Sequence, residues 1–356
     1  MKLYDLGHVP WLDSQLIYHA LPRLGMEGLI LLAPAEPYVC IGYHQDAQQE
    51  VDLAYCRQQG IPVFRREVGG GAVYLDGQQI FYQLVLHKDN PLAPRDKAEF
   101  YRALLAPVVG TYRDLGVEVH YKPVNDIVTS EGHKISGNGA AEIADYSVLV
   151  GNLIADFDYE TMVHVLRVPD EKFRDKVFKS LRENLTTLQR ELGRVPGWET
   201  MTETLVRNYE TVLGPLTPAE LPPAVYEKTA ELAQTRTTED WLLGPGRRFR
   251  EGRMHSRELG RTVKIATGVE VAQRVHKAPG GLIRVIVETQ HDQIVAVGLS
   301  GDIFFYPADK LAELEQYLVG AELSNVQGAI EEFYRLHEIE SPGVTPHDIA
   351  VALGVP

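Results

Sequence analysis

Two stretches of the chain carry residues whose types and spacing could do chemistry. In the first, Arg65-Arg66-Glu67-Val68-Gly69-Gly70-Gly71, two permanent cations stand just ahead of three residues without side chains. Three missing β-carbons permit positive φ and let a ligand lie against bare amides, and such amides can form an anion-binding concavity. Arg66 beside them offers a fixed fork for a carboxylate or phosphate. Taken alone, the triple glycine reads equally well as a turn with a solvated arginine pair. It is not a GxGxxG dinucleotide loop, and GxxxxGK[ST] occurs nowhere in the chain.

The second stretch is Val124-Asn125-Asp126-Ile127-Val128, followed by His133-Lys134-Ile135-Ser136-Gly137-Asn138-Gly139-Ala140. An amide and a carboxylate side by side at a strand start could hold a hydrated Mg²⁺, which prefers oxygen ligands and keeps several waters. Lys134 falls in an expected strand among small residues, where a compact ammonium can reach a carboxylate and a phosphate in crowded space. Read singly, Asn125-Asp126 is a turn and Lys134 an exposed strand residue.

The elements that would position these residues follow from periodicity. Leu12, Leu16, Ile17, Ala20, Leu21 and Leu24 mark one face of a helix over 12–24. Apolar runs at 29–32 and 38–42 read as a hairpin, and so do 72–75 and 80–86 around the Asp76-Gly77 turn. A helix is expected near 96–115, strands near 117–120, 126–128, 134–143 and 147–155, and helices at 160–166, 199–212 and 219–234. Gly244-Pro245-Gly246-Arg247-Arg248 reads as a linker, with alternating strands and two helices beyond it. The fold class is therefore α+β, a mixed or antiparallel sheet domain over 1–248 and a small α+β domain over 249–356.

Composition narrows the function classes. The chain has 356 residues and a formal net charge of −14, which argues against nucleic-acid binding because phosphate contacts need concentrated Lys and Arg. The N-terminus lacks a basic, then apolar, leader, and no window approaches eighteen apolar residues, so a cytoplasmic protein without a membrane span is expected. Cys40 and Cys56 are too few for a disulfide framework and lack metal spacing.

Together, RRxxGGGAVxxD and the later NDIVxxxxxKISG resemble the catalytic module of lipoate-protein ligases, within the biotin/lipoate ligase superfamily. Ile41-Gly42-Tyr43-His44-Gln45-Asp46, Gly151-Asn152-Leu153-Ile154-Ala155-Asp156 and the small C-terminal module extend the resemblance. It implies activation of lipoate by ATP and Mg²⁺ to lipoyl-AMP, then transfer to a lysine of a lipoyl domain, such as that of a 2-oxoacid dehydrogenase E2 or a glycine cleavage H protein. Carried over residue by residue, it implies that Lys134 and Arg66 are catalytic and that Asp126 faces Mg²⁺. It further implies that Arg65, Gly69, Gly70, Gly71, Ala72, Val73, Tyr74, Asn125, Ser136 and Gly137 line the lipoyl and adenylate site. Cations at the reacting centre suit this chemistry independently, because two anions must approach each other.

The sequence departs from the family pattern at Glu67, where many ligases carry Ser or Thr, and at Val150-Gly151-Asn152, where relatives often have His-Gly followed by Ser or Thr. An octanoyl- or lipoyl-transferase would need a nucleophilic cysteine near the lysine strand, and none occurs after Cys56. A biotin ligase would carry Gly-Arg-Gly-Arg, which is missing. A non-catalytic lipoate-binding protein would not need both Lys134 and Asn125-Asp126. Docking of an acidic acceptor is expected to use Lys122, His133 and Lys88.

Overall fold

The computed structural model describes residues 1–250, 262–266 and 268–355. In chain order the elements are β1 (Lys2–Val9), α1 (Trp11–Arg23), β2 (Gly28–Pro34), β3 (Tyr38–Ile41), α2 (Ala47–Glu50), α3 (Leu53–Gln59), β4 (Val63–Arg65), β5 (Val73–Leu75) and β6 (Gln79–His87). Then follow α4 (Lys97–Asp114), β7 (Val119–Lys122), β8 (Asp126–Thr129), β9 (Lys134–Ser136), β10 (Asn138–Ile143) and β11 (Tyr146–Ile154). Helices α5 (Tyr159–Val165), α6 (Glu171–Asn184), α7 (Leu188–Leu192) and α8 (Trp198–Leu213) come next, then β12 (Thr217–Pro218) and α9 (Pro223–Arg236). The chain continues with α10 (Glu239–Arg250), β13 (Thr262–Ala266), β14 (Val269–Ala278), β15 (Gly281–Gln290), β16 (Gln293–Gly301), α11 (Lys310–Tyr317), α12 (Val326–His337) and α13 (Pro346–Leu353).

These elements form two compact units, and the division does not follow one cut in the chain. One unit comprises 1–40, 51–64 and 73–238; the other comprises 41–50, 65–72 and 239–356. The arginine-glycine stretch thus belongs to the unit that holds the C-terminal residues.

The first unit is built on a six-stranded mixed sheet in the order β10-β11-β6-β2-β1-β12. β1 runs parallel to β2 and β12, and the remaining pairs are antiparallel. All seven residues of β2 are buried, which suits a central strand covered on both faces. Leu16, Ile17 and Ala20 of α1 and Leu104, Leu105 and Val108 of α4 are fully buried, the spacing a core-facing helix stripe requires. Each of these sides is worth roughly 1.5–3 kcal/mol per large aliphatic chain removed from water.

Both expected hairpins part into different sheets. β2 and β6 join the six-stranded sheet, whereas β3 and β5 pair with each other in a three-stranded sheet of order β4-β3-β5. The Asp76-Gly77 turn does form, with Asp76 accepting from the Gln78 and Gln79 amides, but it redirects the chain between sheets. The strand expected over 134–143 also divides at Gly137: β9 closes the three-stranded sheet β7-β8-β9, while β10 edges the large sheet. β1 and α6 were not expected from periodicity.

In the second unit, β13-β14-β15-β16 form an antiparallel sheet. Val285, Val287 and Ile294 of that sheet share one core with Leu311, Leu314, Ile330, Phe333, Ile349 and Leu353. The expected linker at 244–248 lies in helix α10, despite Pro245. The physical reason involves Arg65.

Candidate active site

Lys134 and Asp126 meet across neighbouring strands. β8 and β9 pair antiparallel, and the register shifts between Ile127 and Val128, where two short strands change pairing. Lys134 Nζ lies 2.6 Å from Asp126 Oδ1, with side chains 38% and 33% exposed. The ammonium is therefore held by a carboxylate yet still open to an incoming anion. On the backbone, Lys134 O accepts from the Thr186 amide at 2.8 Å, which ties β9 to the segment just after α6.

The neighbouring Asn125 is fixed by a reciprocal lock: its Nδ2 donates to Asn138 O, and Asn138 Nδ2 donates to Asn125 O at 2.9 Å. Tyr82 Oη donates to Asn138 Oδ1, and Tyr82 Oη and Ser136 Oγ are 3.2 Å apart. Burial pushes the Tyr82 phenol well above its ordinary pKa, so it stays a neutral donor. Ser136 Oγ donates to Asn152 O at 2.7 Å, Gly137 N donates to Asn152 Oδ1 at 2.8 Å, and Asn152 Nδ2 donates to Gln79 Oε1 at 2.7 Å. A chain of interior amides thus holds the two ends of the Asn125-to-Gly137 stretch together.

Ser136 is fully buried, with its hydroxyl directed at these interior partners rather than the ligand-facing position the resemblance implies. Three members of the lock, Tyr82, Gln79 and Asn138, were not singled out from the sequence. Asn138 sits within the quoted Lys-Ile-Ser-Gly-Asn-Gly run, and Asn152 was visible as a departure from the family pattern. Gly151 is needed for their approach, since a β-carbon there would stand 2.3 Å from Asn138 Oδ1 and from Tyr82 Oη.

For Mg²⁺, Asp126 supplies one carboxylate and Asn125 a side-chain amide next to it. That donor set fits an ion held mainly by substrate phosphates and water. Among the described residues no group of three or more His, Cys, Asp or Glu could hold a metal by itself.

In the other unit, Arg65 is 1% exposed, and its guanidinium donates to main-chain carbonyls. Nη1 donates to Gly42 O, Tyr43 O and Gln45 O at 3.1, 2.7 and 2.6 Å; Nε donates to Trp241 O at 3.1 Å and Leu242 O at 3.2 Å; Nη2 donates to Leu242 O at 2.6 Å. Trp241 Nε1 donates back to Arg65 O at 2.9 Å. Pro245 has no amide to satisfy Trp241 O four residues earlier in α10, and Arg65 supplies the donor instead. The expected anion contact is in this structure a splint that holds the 42–45 turn against α10.

Arg66 is half-buried and curls over the glycine loop, its Nη2 donating to Gly69 O at 2.7 Å and Gly71 O at 2.9 Å. Gly70 takes φ +88°, and its amide donates to Ile303 O at 3.2 Å. A β-carbon on Gly42 would fall 1.8 Å from Gly70 O, so glycine is required there by close backbone approach. His44 is fully buried, its pKa lowered to about 3 by burial first and by the Arg65 charge second, against a raising hydrogen bond with the Phe305 backbone. It is neutral near pH 7. Ala72 follows this loop at the end of the segment, while Val73 and Tyr74 pair with Cys40 and Val39 in the first unit. Tyr74 is buried, its pKa pushed up to about 12 by burial and then by Asp76 and Asp158.

The two cysteines lie in the first unit and are both buried. The Cys56 thiol is pushed up to about 11, by burial first and by Asp52 second, which leaves little thiolate at neutral pH.

Residues 12–210 match the model of the lipoyl protein ligase A/B catalytic domain. The chain belongs to the lipoate-protein ligase family. Within that enzyme family it is 33% identical over 159 residues to lipoate-protein ligase A subunit 1 of Thermoplasma acidophilum, covering 42% of this chain and 59% of that protein. The match thus spans less than two thirds of that relative. Similarity to lipoate-protein ligase LplJ of Bacillus subtilis is 26% over 290 residues, 81% of this chain and 79% of the relative. Octanoyltransferase LipM of Kyrpidia tusciae is 26% identical over 227 residues, 58% of this chain and 82% of the relative. Among solved structures, a bi-partite lipoate protein ligase from Thermoplasma acidophilum, described with its E2 lipoyl domain, superposes with TM-score 0.61 at 26% identity, over 68% of this chain and 96% of that one. The family's mixed α+β architecture is the one described above, and no helix of the described residues is long and apolar enough to cross a membrane.

Proposed function

We propose that this protein is an ATP-dependent lipoate-protein ligase. In the first step the lipoate carboxylate attacks the α-phosphorus of ATP; the new P–O bond gives lipoyl-AMP as the bond to pyrophosphate breaks. In the second, an acceptor lysine amine attacks the acyl carbon, a C–N bond forms, the C–O bond to AMP breaks and the amine loses a proton. The observation that carries this reading is the half-exposed Lys134, fixed by Asp126 at 2.6 Å beside the locked Asn125. A preorganised cation offsets the repulsion between carboxylate and phosphate without reorganisation at the moment of reaction. Lys134 is assigned to the acyl carboxyl oxygen and α-phosphate, and Asn125 and Asp126 to the phosphates. Bound Mg²⁺ would neutralise phosphate charge, with Asp126 as its protein ligand.

Arg66, Gly69, Gly70, Gly71, Ala72, Val73 and Tyr74 are assigned to the acyl and adenylate groups by their motif. Gly137, beside Lys134 on the same stretch, belongs with them. The acceptors are lipoyl domains of the 2-oxoacid dehydrogenase E2 or glycine cleavage H type, and the setting is cytoplasmic.

The transferase reading rests on the LipM relatives. Against it stand two buried cysteines, one with a raised pKa, where that mechanism needs an accessible thiolate. The similarity to LplJ runs 290 residues and that to LipM 227.

Pyrophosphate release measured with lipoate, octanoate and biotin, on wild type and Lys134→Ala, tests the proposal. Lipoate-dependent release that disappears in the variant supports it. Modification of a lipoyl domain from an acyl-carrier protein without ATP would establish the transferase instead.

A further inference from the structure

Helix α6 is an amphipathic helix of 14 residues with none of them buried. At about 100° per residue, Phe173, Val177 and Leu181 line one stripe, and Lys172, Lys176 and Lys179 line the stripe beside it. Arg174 Nη1 donates to Val163 O at 2.9 Å, and the Arg182 guanidinium lies over the Tyr159 ring at 5.7 Å. These contacts seat the opposite side of the helix on its own unit, and leave the lysine stripe and the edge at Phe173 facing outward. Phe173 is 47% exposed, and the three lysines are exposed with no ion pair among the described residues.

Asp175 and Glu183 are exposed on this same side, and three lysines against two carboxylates leave it net positive on a chain whose formal net charge is −14. Two of the cations expected to dock an acceptor are occupied locally: Lys88 pairs with Asp145, and His133 lies 3.7 Å from Glu131. Among the described residues the α6 lysines form no such pair. The helix also leads to the site, because Leu185 bridges Lys134 in parallel and the Thr186 amide donates to Lys134 O. From Lys172 to Leu185 the rise is about 20 Å, beyond the reach of a small substrate at Lys134 but within the span of a standard protein interface.

We propose that the outward face of α6, Phe173 flanked by Lys172, Lys176 and Lys179, is the docking surface for the acceptor, an acidic folded domain that presents its lysine toward Lys134. An exposed aromatic rimmed by cations is the anatomy of such a surface: the ring supplies the buried anchor and the charges steer the encounter. The assignment rests on the acyl-transfer reading above. It concerns the second substrate, not adenylate chemistry.

The test uses the full chain and an apo lipoyl domain with an acidic surface. Lys172→Glu/Lys176→Glu/Lys179→Glu should raise KM for the domain by about 10-fold or more and abolish the salt dependence of transfer. Phe173→Ala should weaken transfer without changing its salt dependence. Lipoate-dependent pyrophosphate release should stay within about 2-fold of wild type in both variants, which also shows that they fold. Unchanged transfer, or transfer and release falling by the same factor, would overturn the assignment. Wild-type pyrophosphate release judges the ligase reading separately, since the variants can be compared in transfer from whichever acyl donor the protein uses.

Discussion

Lys134 and Asp126 are joined side chain to side chain at 2.6 Å across two short strands, and neither is buried. The pair is a cation aimed by a carboxylate. Lys134→Ala should lower lipoate-dependent pyrophosphate release by roughly 10²–10³-fold, the usual loss when a preorganised charge stabiliser is removed. Unfolding midpoints should barely move, because an exposed ion pair contributes at most about 1 kcal/mol. Equal losses of stability and rate would refute the catalytic assignment.

Arg65 and Arg66 should separate sharply although they are neighbours. Arg65→Met leaves the carbonyls of Gly42, Tyr43, Gln45, Trp241 and Leu242 without this donor and should cost at least about 3 kcal/mol of stability in urea denaturation. Arg66→Met removes bonds to Gly69 O and Gly71 O in a half-buried setting and should cost less stability but more activity.

Acid should destabilise the unit that contains His44. Its folded pKa of about 3 lies below the ordinary 6.5, so the unfolded chain binds the extra proton between those values. Stability is therefore full above about pH 6.5 and declines as pH falls toward about 3, at about 1.4 kcal/mol per pH unit from this residue. Thermal melts at pH 7.5 and 5.0 should show a larger drop for wild type than for His44→Gln.

Gly151→Ala should disturb the interior amide lock. The added carbon meets Asn138 Oδ1 and Tyr82 Oη at 2.3 Å, an overpacking of about 1–3 kcal/mol. Asn125 would lose its alignment with it, so kcat for adenylation should fall while KM for the acceptor domain holds.

Cys40→Ala/Cys56→Ala should retain domain modification with ATP. Abolished transfer, with the melting temperature preserved, would point to a thioester route.

The Lys134 strand, Asp126 and the glycine loop were legible because each is written in a few consecutive residues. Sheet membership was not, since β2 and β3, or β5 and β6, look alike locally and are separated only by distant partners. The same limit hid Arg65: its carbonyl partners at 241 and 242 lie 176 and 177 positions away. Gln79 and Asn152, 73 positions apart, look unremarkable until the sheet brings them together. α6 carries only Phe173, Val177 and Leu181 as a spaced apolar stripe among charged residues, and none of its residues is buried, so its periodicity is weak.

Pro245 and Arg65 hold one consequence for the history of this chain. The proline opens a vacancy on the Trp241 carbonyl that the arginine fills, although the two positions are 180 residues apart in a sequence of 356. Descendants that replace the proline regain an internal amide and loosen the demand for an arginine. Positions 65 and 245 should therefore drift as a pair, an inheritance written by a missing hydrogen.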